Sequence, residues 1–381
     1  MDIVRQRKLK PARRRMIGAA AAAATLGGPM VARAKSGPIV LRWQSTWSST
    51  DLFHEYANDF ARKVNDMAGG ELRIDVLPAG AVAPAAGLLE AVSKGTLDGG
   101  HGVLAHHFHR QSALALWGSG PSFGMDGNMM LAWHRHGGGK ELLGRLYESI
   151  GANVVSFLYG PMPTQPLGWF RRPVARAEDI KGLKFRSDVV AADLFAAMGA
   201  AVDPLPPAEA VAAMGKGLLD AAEFNNASTD KDLGVAEVSK VCMLQSYHQN
   251  AEQFEILFNR PRFEALPARL KAIIENAVDA ASAAVSWKAI DRYSRDYLAL
   301  QSKGVRFYRT PEAVLQRQLA SQDEVAKKRA EGNTLFEEIR ASQRRFAGRA
   351  VRWELDTVVG RRLAYDHYFA DSGSGSKPGT V

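Results

Sequence analysis

Two ten-residue stretches carry the same pattern, and they narrow the folds open to this chain. Val92-Ser93-Lys94-Gly95-Thr96-Leu97-Asp98-Gly99-Gly100-His101 is matched in kind by Met214-Gly215-Lys216-Gly217-Leu218-Leu219-Asp220-Ala221-Ala222-Glu223. Each reads as a helix end, a glycine placed as a C-cap, then an aspartate that opens a short strand. Two α/β lobes of similar design account for the repeat; a chance recurrence of a common helix-to-strand turn accounts for it equally.

The residues around the first copy support alternation. Ile39–Trp43 alternates as a strand, and Ser48-Ser49-Thr50-Asp51 offers N-caps to a helix carrying Phe53, Tyr56, Phe60, Val64 and Met67 at helical spacing. That apolar stripe reads as core. Gly69-Gly70 stops the helix, Glu71–Leu77 alternates again, and Pro78-Ala79-Gly80 ends it. Leu88–Lys94 reads as a second helix and Asp98–Val103 as a third strand. Strands alternating with helices imply a parallel sheet with crossover connections. Downstream, strands are expected at Val154–Leu158, Gly168–Arg171, Leu183–Arg186, Phe254–Asn259 and Val305–Tyr308, with Ala201–Pro204 as strand or extended chain. Helices are expected at Ala191–Met198, from Pro206-Pro207 through Met214, from Leu266-Pro267 through Leu300, and over most of Pro311–Ala370. Ser372-Gly373-Ser374-Gly375-Ser376 reads as a flexible end.

The charge is unevenly placed. The 381 residues carry a formal net charge of +9. Residues 1–34 hold eight basic residues and one acid, so +7 sits there and +2 remains for the rest. The basic balance is therefore poor evidence for a nucleic-acid partner. Arg13-Arg14-Arg15-Met16-Ile17 is a twin-arginine pattern, followed by an Ala-rich apolar stretch from Met16 to Met30 and by Ala32-Arg33-Ala34. This is the order of an export signal, with cleavage expected after Ala34. No other stretch has the ~18 consecutive apolar residues of a membrane span. The single cysteine, Cys242, has no internal partner for a disulfide.

The stretch Asp179–Ser187 carries the strongest chemical signal. Gly182 marks a turn, and Leu183 and Phe185 alternate with Lys184 and Arg186. In open α/β sheets ligands sit beyond the carboxyl ends of strands, and an arginine there offers two parallel donors to a carboxylate. Arg186 is thus a candidate anchor for a small anionic ligand; the bland alternative is a surface arginine in an ordinary salt bridge. Two other constellations carry residue types suited to chemistry. Gly120-Pro121-Ser122-Phe123-Gly124 fits the Gly-x-Ser-x-Gly elbow of a serine hydrolase, with Ser122 as nucleophile. Gly118-Ser119-Gly120-Pro121 is a poor strand end and Met125-Asp126-Gly127-Asn128 a poor helix start, both against the elbow. His106, His107 and His109, with His134 and His136, are zinc-ligand types but lack companion ligands at the required spacing, so they read as cleft-rim or solvated histidines.

Four blocks together resemble a known family: Val76-Leu77-Pro78-Ala79-Gly80, Gly95-Thr96-Leu97-Asp98, Gly182-Leu183-Lys184-Phe185-Arg186 and Leu219-Asp220-Ala221-Ala222-Glu223-Phe224. The chain resembles the extracytoplasmic solute-binding proteins of tripartite ATP-independent periplasmic (TRAP) transporters over about residues 38–330. Gln165 ahead of Gly168-Trp169-Phe170, and Trp133 with Gly137-Gly138-Gly139, resemble the branch that binds 2-oxo acids, lactate and related carboxylates.

The resemblance implies a two-lobed α/β periplasmic-binding-protein fold with the ligand in the cleft and a C-terminal helical region. Lobe I would comprise residues 38–160 with part of 255–310, and lobe II residues 161–254. Long helices over 265–370 would connect and cover them, between a leader at 1–34 and a tail at 371–381. It implies a non-enzymatic receptor in the periplasm that delivers a small carboxylate to a membrane permease. Arg186 would pair with the carboxylate, with Gln165, Phe224 and Asn225 also at the solute. A bridging Na⁺ or Ca²⁺ would be held by the Gln165 side-chain oxygen, the Glu223 carboxylate and the Phe224 backbone carbonyl, all oxygen donors. Asn225 and Asn226 add polar groups suited to hydroxyl or amide recognition. Two residues depart from the branch pattern: Phe224 stands where tryptophan is usual, and Gln249 where a glutamate follows the histidine. The second departure is expected to leave the cation site less negative. The C-terminal helices are expected to mediate any pairing of two copies.

Overall fold

The computed structural model describes residues 37–369. The basic leader and the Gly/Ser tail lie outside the described residues. Eleven strands run in chain order among those described: β1 (Ile39–Ser45), β2 (Leu72–Leu77), β3 (Gly99–Gly102), β4 (Val154–Pro161), β5 (Gly168–Phe170), β6 (Lys184–Arg186), β7 (Ala201–Asp203), β8 (Ala221–Ala222), β9 (Val241–Met243), β10 (Gln253–Asn259) and β11 (Arg306–Tyr308). They form two sheets, one of five strands in the order β2-β1-β3-β10-β4 and one of six in the order β11-β9-β5-β8-β6-β7.

The two sheets share one plan. In the first, β1 lies parallel to β2 and β3, and β10 runs antiparallel to β3. In the second, β6 lies parallel to β7 and β8, and β5 runs antiparallel to β8. Each parallel trio is a β-α-β-α-β unit. The crossover helices are Leu52–Met67 and Leu88–Ser93 in one, Val189–Ala197 and Pro207–Gly215 in the other.

The repeated sequence stretch falls on the last helix-to-strand turn of both units. Gly95 and Gly217 adopt φ of 76° and 79°, a left-handed conformation that glycine enters without a Cβ clash. Asp98 Oδ2 accepts from the Arg42 backbone N–H at 2.8 Å, and Asp220 Oδ2 accepts from that of Lys184 at 3.0 Å. The amides of the same aspartates donate to the carbonyls of Arg42 and Lys184, both at 2.9 Å. Each aspartate closes a two-way clasp onto the middle strand of its parallel trio, which is why Gly-x-x-Asp recurs.

The 35-residue helix Ala268–Ser302, about 50 Å long at 1.5 Å per residue, ties the halves together. It packs on β4 and on helix Leu52–Met67 along one part, and on helix Ala227–Asp232 along another. Its residues Ile274, Ala277 and Val285 join Trp43, Tyr56 and Phe60 in the core of the five-stranded sheet. Leu300 joins Trp169, Cys242 and Phe307 on one face of the six-stranded sheet. Phe53, Tyr56 and Phe60 are all core. β11, just after this helix, pairs with β9 in the six-stranded sheet. Helix Thr334–Thr357 buries Phe336, Ile339 and Phe346 against Trp117, Trp133 and Leu146, so this part of the chain completes a core. Among the described residues no helix is long and apolar enough to cross a membrane.

Three expectations need correction. A helix does start beside the Gly-x-Ser-x-Gly stretch, at Gly127, because Asp126 accepts from the Met129 amide as N-cap. The histidines are not solvated as a group. His107 is buried near Glu255, at 3.5 Å, and His134 is buried and accepts from Trp117 Nε1. Asn226, expected to read hydroxyl or amide groups, spends its side-chain oxygen as N-cap of helix Ala227–Asp232, accepting from Ser228 and Thr229.

Candidate functional site

Between the two sheets lies a cavity of about 330 Å³. Residues that follow the carboxyl ends of parallel strands build its walls. Trp47 and Asp51 follow β1, Ala105 and His106 follow β3, Arg186 and Asp188 end β6, and Glu223, Phe224 and Asn225 follow β8. Gln165 precedes β5, and His248, Gln249 and Glu252 precede β10. Parallel strands present open C-terminal ends, so the duplicated plan aims two such ends at one space.

Arg186 is buried and held from two sides. Its Nε donates to the Leu205 carbonyl at 2.8 Å and its Nη1 to the Glu223 carbonyl at 2.7 Å. The guanidinium lies 5.6 Å from the centre of the Phe224 ring and 3.5 Å from the Glu223 carboxylate. Nη2 has no hydrogen bond among the described residues. The ordinary surface salt bridge is thereby set aside. This arginine is fixed by backbone carbonyls and keeps a donor for the cavity.

Gln165 is oriented by a directional chain. Gln318 donates to Ser246 Oγ at 2.8 Å, and Ser246 pairs with His248 Nδ1 at 2.6 Å. His248 Nε2 meets Gln165 Oε1 at 3.2 Å, and Gln165 Nε2 donates to Asn225 Oδ1 at 2.8 Å. Burial pushes the imidazole down to about 4, so it is neutral near pH 7 and carries one proton. The chain is consistent with that proton on Nε2, which leaves Gln165 Oε1 as acceptor.

Glu223 accepts from Ser187 Oγ at 3.3 Å and from the Asp188 amide. Burial pushes its carboxyl up to about 7, against the pull of Arg186 and with a further push from Asp188. Glu252 is pushed up to about 8 by burial and by the neighbouring negative charges of Asp188 and Glu223. Asp230, buried behind Asn225, accepts from Trp169 Nε1 at 2.7 Å and from the Asn225 and Asn226 amides. Burial pushes it up to about 6.

The structure brings Arg186, Gln165, Glu223, Phe224 and Asn225 onto one cavity. Asn226 is absent from its lining. Gln249 also lines the cavity, and three residues later Glu252 enters it with a carboxyl raised to about 8, mostly neutral near pH 7. Asp188, His248 and Glu252 were missed from the sequence. Asp188 carried a readable signal as an N-cap ahead of an apolar helix; Glu252 carried none.

For the expected oxygen-loving cation the donor set fits. Gln165 Oε1 has a second lone pair beyond its bond to His248, and the Phe224 carbonyl accepts no hydrogen bond among the described residues. Buried Glu223 stands among other acids, a charge balance that a cation relieves. No group of three His, Cys, Asp or Glu able to hold a metal occurs among the described residues, so such an ion would depend on amide and carbonyl oxygens.

Ser122 lies elsewhere. No strand precedes it, and it sits in a short turn, Ser122–Gly124, with φ of 49°. The cavity beside it is lined by Tyr247, Asp323 and Arg340 among others and by no histidine, so the histidine that the hydrolase elbow pairs with its serine does not line it.

Residues 44–333 match the family model described as DctP, bacterial extracellular solute-binding protein, family 7. The chain belongs to this family. A curated relative of this DctP-family protein, the monocarboxylate 2-oxoacid-binding periplasmic protein of a Nostoc species, is 28% identical over 239 residues. That match spans 62% of this chain and 65% of the relative, just under two thirds of its length.

Among solved structures, a TRAP transporter solute-binding protein from Bordetella bronchiseptica, with copurified calcium and picolinate, superposes at a TM-score of 0.80. It is 23% identical, and the match covers 89% of this chain and 99% of that one. One from Colwellia psychrerythraea, with calcium and pyruvate, gives 0.79 at 22% identity over 87% and 99%. One from Pseudoalteromonas atlantica, with sodium and pyruvate, gives 0.76 at 24% identity over 88% and 99%. These likenesses establish that this DctP-family protein has the two-lobed solute-binder fold.

Proposed function

We propose that this chain is the exported receptor of a TRAP transporter, which takes a small 2-oxo or 2-hydroxy carboxylate into its cavity and delivers it to a membrane permease. The observation that carries the reading is Arg186: a guanidinium at the end of a parallel strand, fixed by two backbone carbonyls, with one nitrogen free toward a cavity of metabolite size. The relative named for 2-oxoacids and the structures solved with pyruvate or picolinate favour the same ligand class.

In this reading Arg186 takes the carboxylate charge, and Phe224 and Asn225 shape the wall beside it. Gln165, Glu223 and the Phe224 carbonyl would hold Na⁺ or Ca²⁺, which supplies a positive point for the acid's second oxygen. Gln165 is kept in position for this by His248. Closing the lobes around the acid removes water and strengthens each polar contact. Closure is then a shift of population toward the state with more contacts. The lobe boundaries proposed are 38–160 with part of 255–310, and 161–254. The twin-arginine pattern favours export to the periplasm with removal of residues 1–34. Exposed apolar residues on the last helix, Leu363 and Tyr368 among them, favour pairing of copies through the C-terminal helices.

Calorimetric titration of the mature chain with pyruvate, lactate and picolinate, each with calcium, with sodium and with chelator, tests the proposal. Binding of at least one acid that weakens when the cations are removed is expected. No binding of any small carboxylate under any of these conditions would refute it.

A further inference from the structure

Five acids line the ligand cavity: Asp51, Asp188, Glu223, Asp230 and Glu252. Four are engaged. Asp51 accepts from the Phe53 amide and Asp188 from the Val190 amide, each as the N-cap of a helix. Glu223 is held by Ser187, the Asp188 amide and Arg186, and Asp230 by Trp169 and two backbone amides. The Glu252 carboxyl makes no hydrogen bond and no ion pair among the described residues, although the residue is only 4% exposed. Its own carbonyl is taken by the Met162 amide, and the space behind it is closed by Gly118, where an added Cβ would lie 2.6 Å from the Glu252 Cα. The backbone is therefore clamped and the carboxyl is aimed into the cavity.

A carboxyl this buried and this unserved costs stability. Taking up a proton relieves part of that cost, and a hydrogen-bonding partner that arrives with the cargo relieves more. Two partners are conceivable: the cation or the solute. Glu252 is not part of any three-acid or histidine cluster able to hold a metal. It also stands in the segment before β10, whereas the oxygen donors Gln165, Glu223 and Phe224 are gathered by β5 and β8 of the other sheet. The solute is the better match. Once ionised, above its raised value of about 8, the carboxyl only accepts, so what it then recognises is a donor.

Building on the proposed function, we infer that Glu252 selects solutes that carry, besides the carboxylate met by Arg186, a hydroxyl or ammonium donor. The ligand class is thereby narrowed to hydroxy and amino carboxylates in preference to oxo acids of the same skeleton. An oxo oxygen has no proton to give and can pair with Glu252 only while the carboxyl is protonated, so the preference is sharpest above about pH 8, where Glu252 is ionised.

The test compares lactate, alanine and pyruvate by calorimetry at pH 9, where Glu252 is ionised, with calcium present, on the wild-type mature protein and on Glu252→Met and Glu252→Gln. The wild type is expected to bind lactate or alanine at least ten-fold tighter than pyruvate. Glu252→Met should erase that preference while pyruvate affinity stays within about three-fold. Glu252→Gln, which keeps an acceptor oxygen, should retain part of the preference for lactate. Thermal melting of Glu252→Met without ligand should be no lower than wild type, because an unserved carboxyl has been removed. Equal weakening of all three acids in Glu252→Met, or a fall in calcium affinity measured without any acid, would overturn the inference by assigning Glu252 to the cation or the scaffold. Pyruvate bound as tightly as lactate and alanine by the wild type would overturn it too. Absence of binding by every acid to the wild type would instead refute the proposed function itself.

Discussion

Replacing Arg186 by methionine separates the stability of the site from its affinity. The change removes donors to the Leu205 and Glu223 carbonyls, at 2.8 and 2.7 Å. Bonds from a charged donor contribute about 1.5–3 kcal/mol each, so the gross loss is about 3–6 kcal/mol. Methionine refills most of the volume, and Glu223 relieves its own loss by taking a proton, so a net cost of about 2–4 kcal/mol is expected. Glu223 already sits at about 7 in the native protein, and Arg186 is what pulls it down. Without Arg186 its native value moves further up.

A carboxyl raised on folding contributes most below its ordinary value and loses that contribution as pH rises through the native one. The wild-type loss therefore levels off near pH 7, whereas the variant's continues. The variant's deficit should be constant below pH 7 and grow by up to about 1.4 kcal/mol per pH unit above it. Urea unfolding at pH 6, 7, 8 and 9 measures this. In the folded variant, carboxylate affinity should fall by about 1.5–3 kcal/mol, or about 10–150-fold. Unchanged affinity in a folded variant, or a deficit flat to pH 9, would refute the reasoning.

Three further outcomes are expected. Asp98→Ala and Asp220→Ala should each cost about 1–3 kcal/mol in urea unfolding, and the costs should add because the clasps share no partner; Asp98, whose side chain is 13% exposed against 37% for Asp220, should cost more. Gly99→Ala should destabilise by about 1–3 kcal/mol or more, because its Cβ would lie 2.3 Å from Trp43 Nε1 and 2.5 Å from the Leu257 carbonyl, and a lower thermal midpoint checks it. Burial holds His134 at about 3, against an ordinary 6.5. The unfolded chain takes up that proton below pH 6.5 and the native protein does not, so His134 costs stability as pH falls. Relative to wild type, His134→Phe should gain about 1.4 kcal/mol per unit on acidification from pH 6.5 to 5, seen as a shallower acid limb in urea unfolding.

Much of the architecture was legible because it is written locally. Alternating apolar residues marked β1, β2 and β6, helical spacing marked Phe53, Tyr56 and Phe60, and the left-handed glycines marked the turns before β3 and β8. The helix from Gly127 was misjudged because glycine is a poor helix former, yet Asp126 caps it and Trp133 anchors it in the core. His106 does line the cavity, but His107 and His134 were misjudged because burial leaves no local trace. His107 and His134 have sequence neighbours like those of a solvated loop, and only packing takes them inside. In the site, Arg186 was legible from its place at a strand end. Its partners were not, since Leu205 and Glu223 lie 19 and 37 residues further along the chain.

The sequence alone determined the repeated turn, the alternation of strand and helix, and the guanidinium at the end of β6. Each depends on a period, a glycine φ or a cap spanning a few residues. The tertiary structure alone decided that Glu252 enters the ligand cavity, that His248 turns Gln165, and that two strand ends face one cavity. Those relations depend on burial and on the convergence of distant segments, and no short-range pattern of residues encodes them.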